Sequence, residues 1–387
     1  MNQKLQQFLR SEKKYLQNHG LLRFLKEFSS IDVITAFNGR KCLSFATNNY
    51  LGLANSSLLK KASLNAIRKY GTGSGSSRLI AGTLDIHTKL EASAALLKKR
   101  EKASVFPTGY MANIGAITAV VSEGDAIVSD PSNHASIIDG CRLTKAEIFT
   151  YKHCDVNSLE KTLKKINGKY NKILVITESI FSVEGDIAPL DKILNTSKKY
   201  NAITMLDDAH ATGILGKHGC GGEELFSVEG RFDIIMGAFG KALGSQGGFI
   251  AGSRQLIEHL INSSRTFIYT TALSPAAAAA ALAAIEALNN QSYRITKLFN
   301  NINFLGKLLL NKGLIDTLPQ TPIIPVVIGD EKKAVKVQEK LLREGIFVPA
   351  LRYPTLPKGR AALRISLSSL HTSKDIERLV NTLKKEI

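Results

Sequence analysis

"KILVITES" (172–179), "LDKILNTSKKY" (190–200) and "AITMLDDAH" (202–210) read in succession as a strand, an amphipathic helix and a second strand. The outer runs are short and rich in β-branched residues, whereas the middle one repeats its apolar residues at helical spacing. The same alternation extends toward the N-terminus. "KASVF" (102–106) is followed by "YMANIGAITAVV" (110–121), and "DAIVSD" (125–130) by "HASIIDGCRL" (134–143). Strand-like runs interleaved with helical periods build βαβ units, so the expected fold is α/β, with a mostly parallel central sheet and helices on both faces. The strand ends carry Asp130, Glu178, Ser179, Asp207 and Asp208. The carboxyl edge of such a sheet is where ligands bind.

Outward from this core the pattern changes. Residues 1–50 read as an arm, a helix followed by a hairpin in "ITAFNGRKCLSFATNN" (34–49) that turns at Asn38-Gly39. Residues 51–285 form the expected large domain. Residues 286–387 form a smaller α+β domain, with strands in "PIIPVVIG" (322–329), "GIFVPALRYPTLP" (345–357) and "AALRISLSS" (361–369) between helices at 331–344 and 372–386. The run "SPAAAAAALAAIEALNN" (274–290) is too short to span a membrane and contains Glu286. Ser274 as N-cap and Pro275 behind it predict a buried helix instead.

Composition narrows the function classes. The chain has 387 residues, 44% of them hydrophobic, as in ordinary globular proteins. Its first twenty residues are polar and charged throughout, unlike a signal peptide. Cys42, Cys141, Cys154 and Cys220 are scattered with no C-x-x-C pair, which suits free thiols in a reducing cytoplasm. Fifty-one Lys and Arg against 33 Asp and Glu give a net charge of +18. The basic residues are dispersed and do not alternate with aromatics, so neither a nucleic-acid partner nor a membrane is expected.

Two glycine-rich loops differ in meaning. "GTGSGSSR" (71–78) follows a helical stretch, not a strand, and lacks the Gly-Lys-Ser/Thr ending of a phosphate loop. "FPTGYMAN" (106–113) does lie between a strand and a helix, where Gly109 and Tyr110 would offer backbone N–H groups to an anion. In "MLDDAHATGILG" (205–216) Asp207 and Asp208 end a strand with His210 behind them. No second His/Asp cluster has ligand spacing, so no metal is expected. A strand-end carboxylate can instead keep a heteroaromatic nitrogen protonated. "MGAFGKALGSQGGFIAG" (236–252) then places Lys241 among small residues, in a setting read as apolar and crowded, which favours the neutral amine that forms Schiff bases. Lysine, aspartate and histidine at successive strand ends point to pyridoxal phosphate.

Beyond these motifs, "NNYLGL", "GTGSGSSRLIAGT", "SNHASIIDG", "TESIFSVEGDIAPL", "DDAHATG", "FGKALGSQGGFI", "YTTALSP" and "LRYPTLPKGRAALRISLSS" follow one another in order. With these motifs the chain resembles, over nearly its whole length, the α-oxoamine synthase family of fold-type I pyridoxal-phosphate enzymes. That resemblance implies catalytic roles for Lys241, His134, Asp207 and His210. Lys241 would carry the cofactor aldehyde, Asp207 would meet its ring nitrogen, and His134 would stack on its face. His210 and Ser182 would contact the phenolate side, and Gly109 and Tyr110 would bind near the phosphate. Thr270 and Thr271 would reach the phosphate of the neighbouring subunit in a homodimer. Arg352 would clamp the amino-acid carboxylate, while Arg23, Thr355 and Asn48 would lie close to the substrates. The family usually places Thr or Ser where this chain has Ala238, so one phosphate donor is missing.

Within the family the likeness is greatest to the biotin-pathway member. It implies decarboxylative condensation of L-alanine with a pimeloyl thioester, carried on coenzyme A or an acyl carrier protein. Glycine C-acetyltransferase, 5-aminolevulinate synthase and serine palmitoyltransferase activities remain alternatives at this point, as does a cofactor-free partner subunit.

Overall fold

The computed structural model describes residues 2–290 and 292–387. The chain separates into two compact units, Asn48–Phe299 and Met1–Thr47 with Asn300–Ile387.

The larger unit is built on a seven-stranded sheet. In chain order its strands are β1 (Lys102–Phe106), β2 (Ala126–Ser129), β3 (Glu147–Thr150), β4 (Ile173–Glu178), β5 (Ile203–Asp207), β6 (Ile234–Ala238) and β7 (Gly248–Gly252). Across the sheet they run β1-β7-β6-β5-β4-β2-β3. Neighbours pair in parallel except around β7, which is antiparallel to both β1 and β6. The reason is the connection. Residues 239–247 join β6 to β7, too short a stretch for the crossover that a parallel neighbour requires. The Lys241 segment is therefore a tight return at the sheet's edge.

Successive strand residues serve opposite faces. Leu174, Ile176, Met205 and Ile234 pack on one side in a core that includes Ala112, Ala116 and Ile137 from helices Gly109–Val120 and Ala135–Leu143. Val175, Leu206 and Ile235 pack on the other, against Leu159, Leu163, Ile193 and Leu194 from helices Val156–Ile166 and Leu190–Lys199. The sheet is thus covered on both faces, and its α/β class follows directly from the "KILVITES"–"AITMLDDAH" unit.

Pairing register brings the strand ends together. Glu178 lies opposite Asp207, Asp207 opposite Met236, and Gly248 opposite both Ala238 and Phe106. A side chain at Gly248 would come within 2.6 Å of the Gly109 Cα, so glycine is what lets β7 start against the first turn of helix Gly109–Val120.

The alanine-rich segment is the buried helix Pro275–Ala287, with Ser274 Oγ accepting from Ala277 N at 3.3 Å. It packs against helices Ser57–Tyr70 and Asp85–Leu97, which its small side chains allow to approach. No helix among the described residues is long and apolar enough to cross a membrane.

In the smaller unit, helix Gln3–Asn18 precedes the hairpin of Ile34–Phe37 and Arg40–Ser44. Its turn has Asn38 at φ 49° and Gly39 at φ 74°, both positive as a type I′ turn demands. Ile346–Phe347 extends this hairpin as a parallel third strand. Ile323–Gly329, Ala361–Ser366 and Ala350–Leu351 form a second, antiparallel sheet, followed by the capped helix Ser373–Glu386.

Candidate active site

At the carboxyl edge of the sheet lies a cavity of about 410 Å³, lined by Asn48, Gly109, Tyr110, His134, Asp207 and Lys241 together with Asn113, Ser136 and Glu178. The first six each have a role implied by the sequence, and Ala238, the position of the missing phosphate donor, lines the same space. Each arrives there for a local reason. Asp207 and Glu178 are the last residues of β5 and β4. Gly109 and Tyr110 open a helix whose N-cap, Thr108, accepts from Met111 N at 3.1 Å. His134 caps the next helix, Ala135–Leu143.

A hydrogen-bonded chain ties these groups together. Asn113 Nδ2 donates to Asp207 Oδ2 at 2.7 Å and to Ser136 Oγ at 2.8 Å. Ser136 Oγ lies 2.8 Å from His134 Nδ1, and Ala209 N donates to Asp207 Oδ1 at 2.9 Å. Burial holds the His134 imidazole below its usual pKa against the opposing pull of Asp207, so the ring is neutral at pH 7. Glu178 is wholly buried, and its Oε1 accepts from His134 N. Burial first, and the neighbouring Asp207 carboxylate second, push its carboxyl well above the usual range.

Lys241 lies in a return closed by Gly244 N donating to Lys241 O at 3.0 Å and Ser245 N donating to Phe239 O at 2.8 Å. It is half-buried, and its charge reaches both His134 and Glu178. The sequence reading expects apolar surroundings for this amine. The backbone is as crowded as expected, but the wall it faces is polar, because the strand ends opposite carry Asp207 and Glu178.

The remaining residues sit elsewhere. His210 is buried outside the cavity lining, with its Nδ1 2.8 Å from Tyr50 Oη, and that hydroxyl lies 3.2 Å from Asn48 Oδ1. Ser182 is half-buried in the hairpin loop closed by the Ile180–Ile187 bridge. Thr271 is exposed and bridges to Ser77, which shows what the "GTGSGSSR" loop does. It pairs with the "YTTALSP" segment through Ala272 N to Ser76 O at 3.0 Å and Ser74 Oγ to Leu273 O at 2.7 Å. Thr270 is half-buried beside Thr271.

Arg23, Arg352 and Thr355 line one cavity of about 640 Å³ in the smaller unit. Arg352 Nη2 donates to Leu22 O at 3.0 Å, while its Nε is buried with no hydrogen-bond partner. Burial, with the Arg23 charge adding to it, lowers the guanidinium's pKa. Two like charges and an unused buried donor are groups that an anion could satisfy.

The paired acids of "DDAH" have divided duties. Asp208 points away from the cavity and forms a buried ion pair with Lys98 at 2.5 Å. Its oxygens also accept from Ser179 Oγ, Gly222 N at 2.8 Å and Thr212 Oγ1 at 2.9 Å.

Asn113, Ser136 and Tyr50 are members of these networks that the sequence does not mark for the site, and Glu178 is marked only as a strand-end residue at the ligand edge. Asn113 lies one helical turn after Gly109 and Ser136 two residues after His134, so motif proximity was the available signal. As an ensemble, the cavity offers an amine, a carboxylate, a neutral imidazole and a helix N-terminus. Those groups can hold a phosphorylated heteroaromatic aldehyde.

Residues 40–383 match the family described as aminotransferase class I and II. The chain is 44% identical over 377 residues to an 8-amino-7-oxononanoate synthase of Lysinibacillus sphaericus, covering 97% of each. Among solved structures, a lysine-to-alanine variant of serine palmitoyltransferase from S. paucimobilis with a bound PLP–myriocin aldimine is similar at a TM-score of 0.92 and 29% identity, with 98% of this chain and 96% of that one covered. An 8-amino-7-oxononanoate synthase from Francisella tularensis is similar at a TM-score of 0.76 and 32% identity, covering 89% and 97%. The chain belongs to the class I and II aminotransferase family, in the pyridoxal-phosphate-dependent branch that contains the 8-amino-7-oxononanoate synthases.

Proposed function

We propose that this chain condenses L-alanine with a pimeloyl thioester, on coenzyme A or an acyl carrier protein, to give 8-amino-7-oxononanoate, carbon dioxide and the free thiol in biotin synthesis. The observation that carries the reading is the meeting of Lys241, Asp207 and His134 around one cavity in a chain 44% identical to a relative of that name.

When bound, pyridoxal phosphate supplies the electron sink that stabilises the carbanion left after the amino acid loses its α-proton. The chain's own residues do the rest. Lys241 Nζ would hold the cofactor aldehyde and, when free, would serve as the base for the α-proton. Asp207, oriented by Asn113 and Ala209 N, would keep the ring nitrogen protonated. His134, its ring oriented by Ser136, would stack on the cofactor ring. The N–H groups at Gly109 and Tyr110 would bind near the phosphate, and His210 and Ser182 would contact the phenolate side. By the roles their motifs imply, Arg352 would fork onto the amino-acid carboxylate, and Arg23, Thr355 and Asn48 would meet the substrates.

A homodimer completes the proposal. Thr270 and Thr271 would donate to the partner's phosphate, compensating for the absent hydroxyl at Ala238. The exposed apolar side chains of Leu79, Ile80 and Tyr269, which flank the Ser77–Thr271 bridge along the chain, support a covered face here. The four free thiols suit the cytoplasm.

The high TM-score of the serine palmitoyltransferase supports a second reading, in which serine and a long-chain donor are used. A grid of alanine, glycine and serine against pimeloyl, acetyl, succinyl and palmitoyl thioesters, followed by thiol release, separates the two. Turnover confined to alanine with a pimeloyl donor is expected. Preference for serine with palmitoyl thioester would transfer the assignment to the sister activity.

A further inference from the structure

Beside the proposed site, but outside its cavity, one histidine is held between two carboxylates. His153 lies in the turn after β3, with Nδ1 2.8 Å from Asp130 Oδ1 and Nε2 2.9 Å from Asp186 Oδ2. Ionised carboxylates only accept hydrogen bonds, so both ring nitrogens must donate, and the imidazole is a cation. Each partner belongs to a segment next to the site. Asp130 follows β2 and is buried; it accepts from Ser132 N at 2.9 Å in the turn toward His134, and from Cys154 N at 3.0 Å in the turn that carries His153. Asp186 closes the hairpin loop that carries Ser182, through Phe181 N to Asp186 O at 3.2 Å. The His153 ring also stands edge-on to Phe181 of that loop, with centroids 4.4 Å apart.

We propose that His153 is a positioning residue: a doubly protonated clamp that locks the segment leading to His134 against the loop carrying Ser182. The inference rests on the roles proposed above for those two residues. Besides the clamp, the two segments are linked near this point by lesser contacts: Ser132 Oγ to Glu184 Oε1 at 3.2 Å, at an exposed position, and Cys154, whose N donates to Asp130 and whose Sγ lies 4.0 Å from Asp186 Oδ2. The groups that set the ring's charge are Asp130, Asp186 and the thiol of Cys154, and hydrogen bonding to them pushes its pKa up to about 12. Asp130, His153 and Cys154 also bring ligand atoms within 4.8 Å of one another, as a metal site would. Metal binding would have to strip a proton from the imidazole and another from a thiol that burial pushes up, while breaking the contacts that order both loops.

The test begins with the intact protein and does not depend on turnover. Nitrogen-15 spectra of the His153 side chain should show both nitrogens protonated from about pH 6 to about pH 9. In His153→Gln, amide exchange should rise roughly tenfold in both 130–134 and 180–187, the scale of one lost charge-assisted hydrogen bond. Asp186→Asn, at the half-exposed end of the clamp, should loosen 180–187 alone, which keeps the inference testable should the Gln variant fold poorly. The cofactor's absorption band should shift in His153→Gln, and kcat should fall more than either KM. A neutral ring at pH 7, unchanged exchange in both segments, or stoichiometric zinc uptake with loss of the Cys154 thiol would each overturn the clamp. An inactive wild-type enzyme with the predicted spectra and exchange would fault the proposed function while leaving the clamp standing.

Discussion

Asp207 and Asp208 are adjacent in sequence, yet the structure predicts opposite consequences for losing their charges. Asp208 and Lys98 are almost wholly buried, their side chains 2% and 3% exposed, and the carboxylate accepts from Lys98 Nζ, Thr212 Oγ1, Ser179 Oγ and Gly222 N. Asp208→Asn keeps the shape but leaves the Lys98 ammonium buried opposite a neutral group. Removing one partner of a buried pair costs about 3–5 kcal/mol. At about 2 °C per kcal/mol for a domain of this size, Tm should drop by about 6–10 °C. Asp207→Asn leaves no such stranded cation, so Tm should hold within about 2 °C, while cofactor retention and turnover collapse because the ring nitrogen loses its counter-charge. Calorimetry of the cofactor-free variants gives the first quantity and spectroscopic titration with pyridoxal phosphate the second. Lys98→Met combined with Asp208→Asn should recover part of the lost stability, the two changes being non-additive at a shared contact. Equal Tm losses for the two aspartates, or an Asp208→Asn protein as stable as wild type, would refute the division of labour.

Arg352→Lys should raise the KM for the amino acid far more than that for the thioester, because lysine cannot reproduce the planar two-donor fork. Steady-state kinetics with each substrate varied in turn would decide it, and parallel increases would mean that Arg352 does something else. Ala238→Thr should tighten cofactor retention, and Thr270→Ala with Thr271→Ala should weaken it, by about 1–3 kcal/mol per charged hydrogen bond gained or lost. Equilibrium dialysis of the phosphate cofactor measures both changes, and an active monomer in sedimentation would remove the basis for the second.

Much of the fold could be read because its signals are local. The strand–helix alternation, the Asn38-Gly39 turn and the Ser274-Pro275 cap each depend on a few neighbouring residues, and each appears where its chemistry requires. The site was legible where a motif marks a strand end or helix start, as at Asp207, Gly109 and His134. Glu178 was visible as a strand-end acid but without a role, which comes from pairing register, and Asn113 escaped because its importance arises from a bond to a residue 94 positions away. The family resemblance picked Asp207 from the pair, but the work of Asp208 could not be read, since it depends on a lysine 110 positions upstream. The parallel addition of Ile346–Phe347 to Arg40–Ser44 is equally non-local and carries no signal in either segment.

The central claim is that Lys241 is the amine that carries the cofactor. Borohydride reduction of the purified holoprotein, followed by proteolysis and mass spectrometry, should place a single pyridoxyl group on the peptide containing Lys241, and Lys241→Ala should abolish the adduct. A pyridoxyl group on any other lysine, or no covalent adduct despite bound cofactor, would contradict the account.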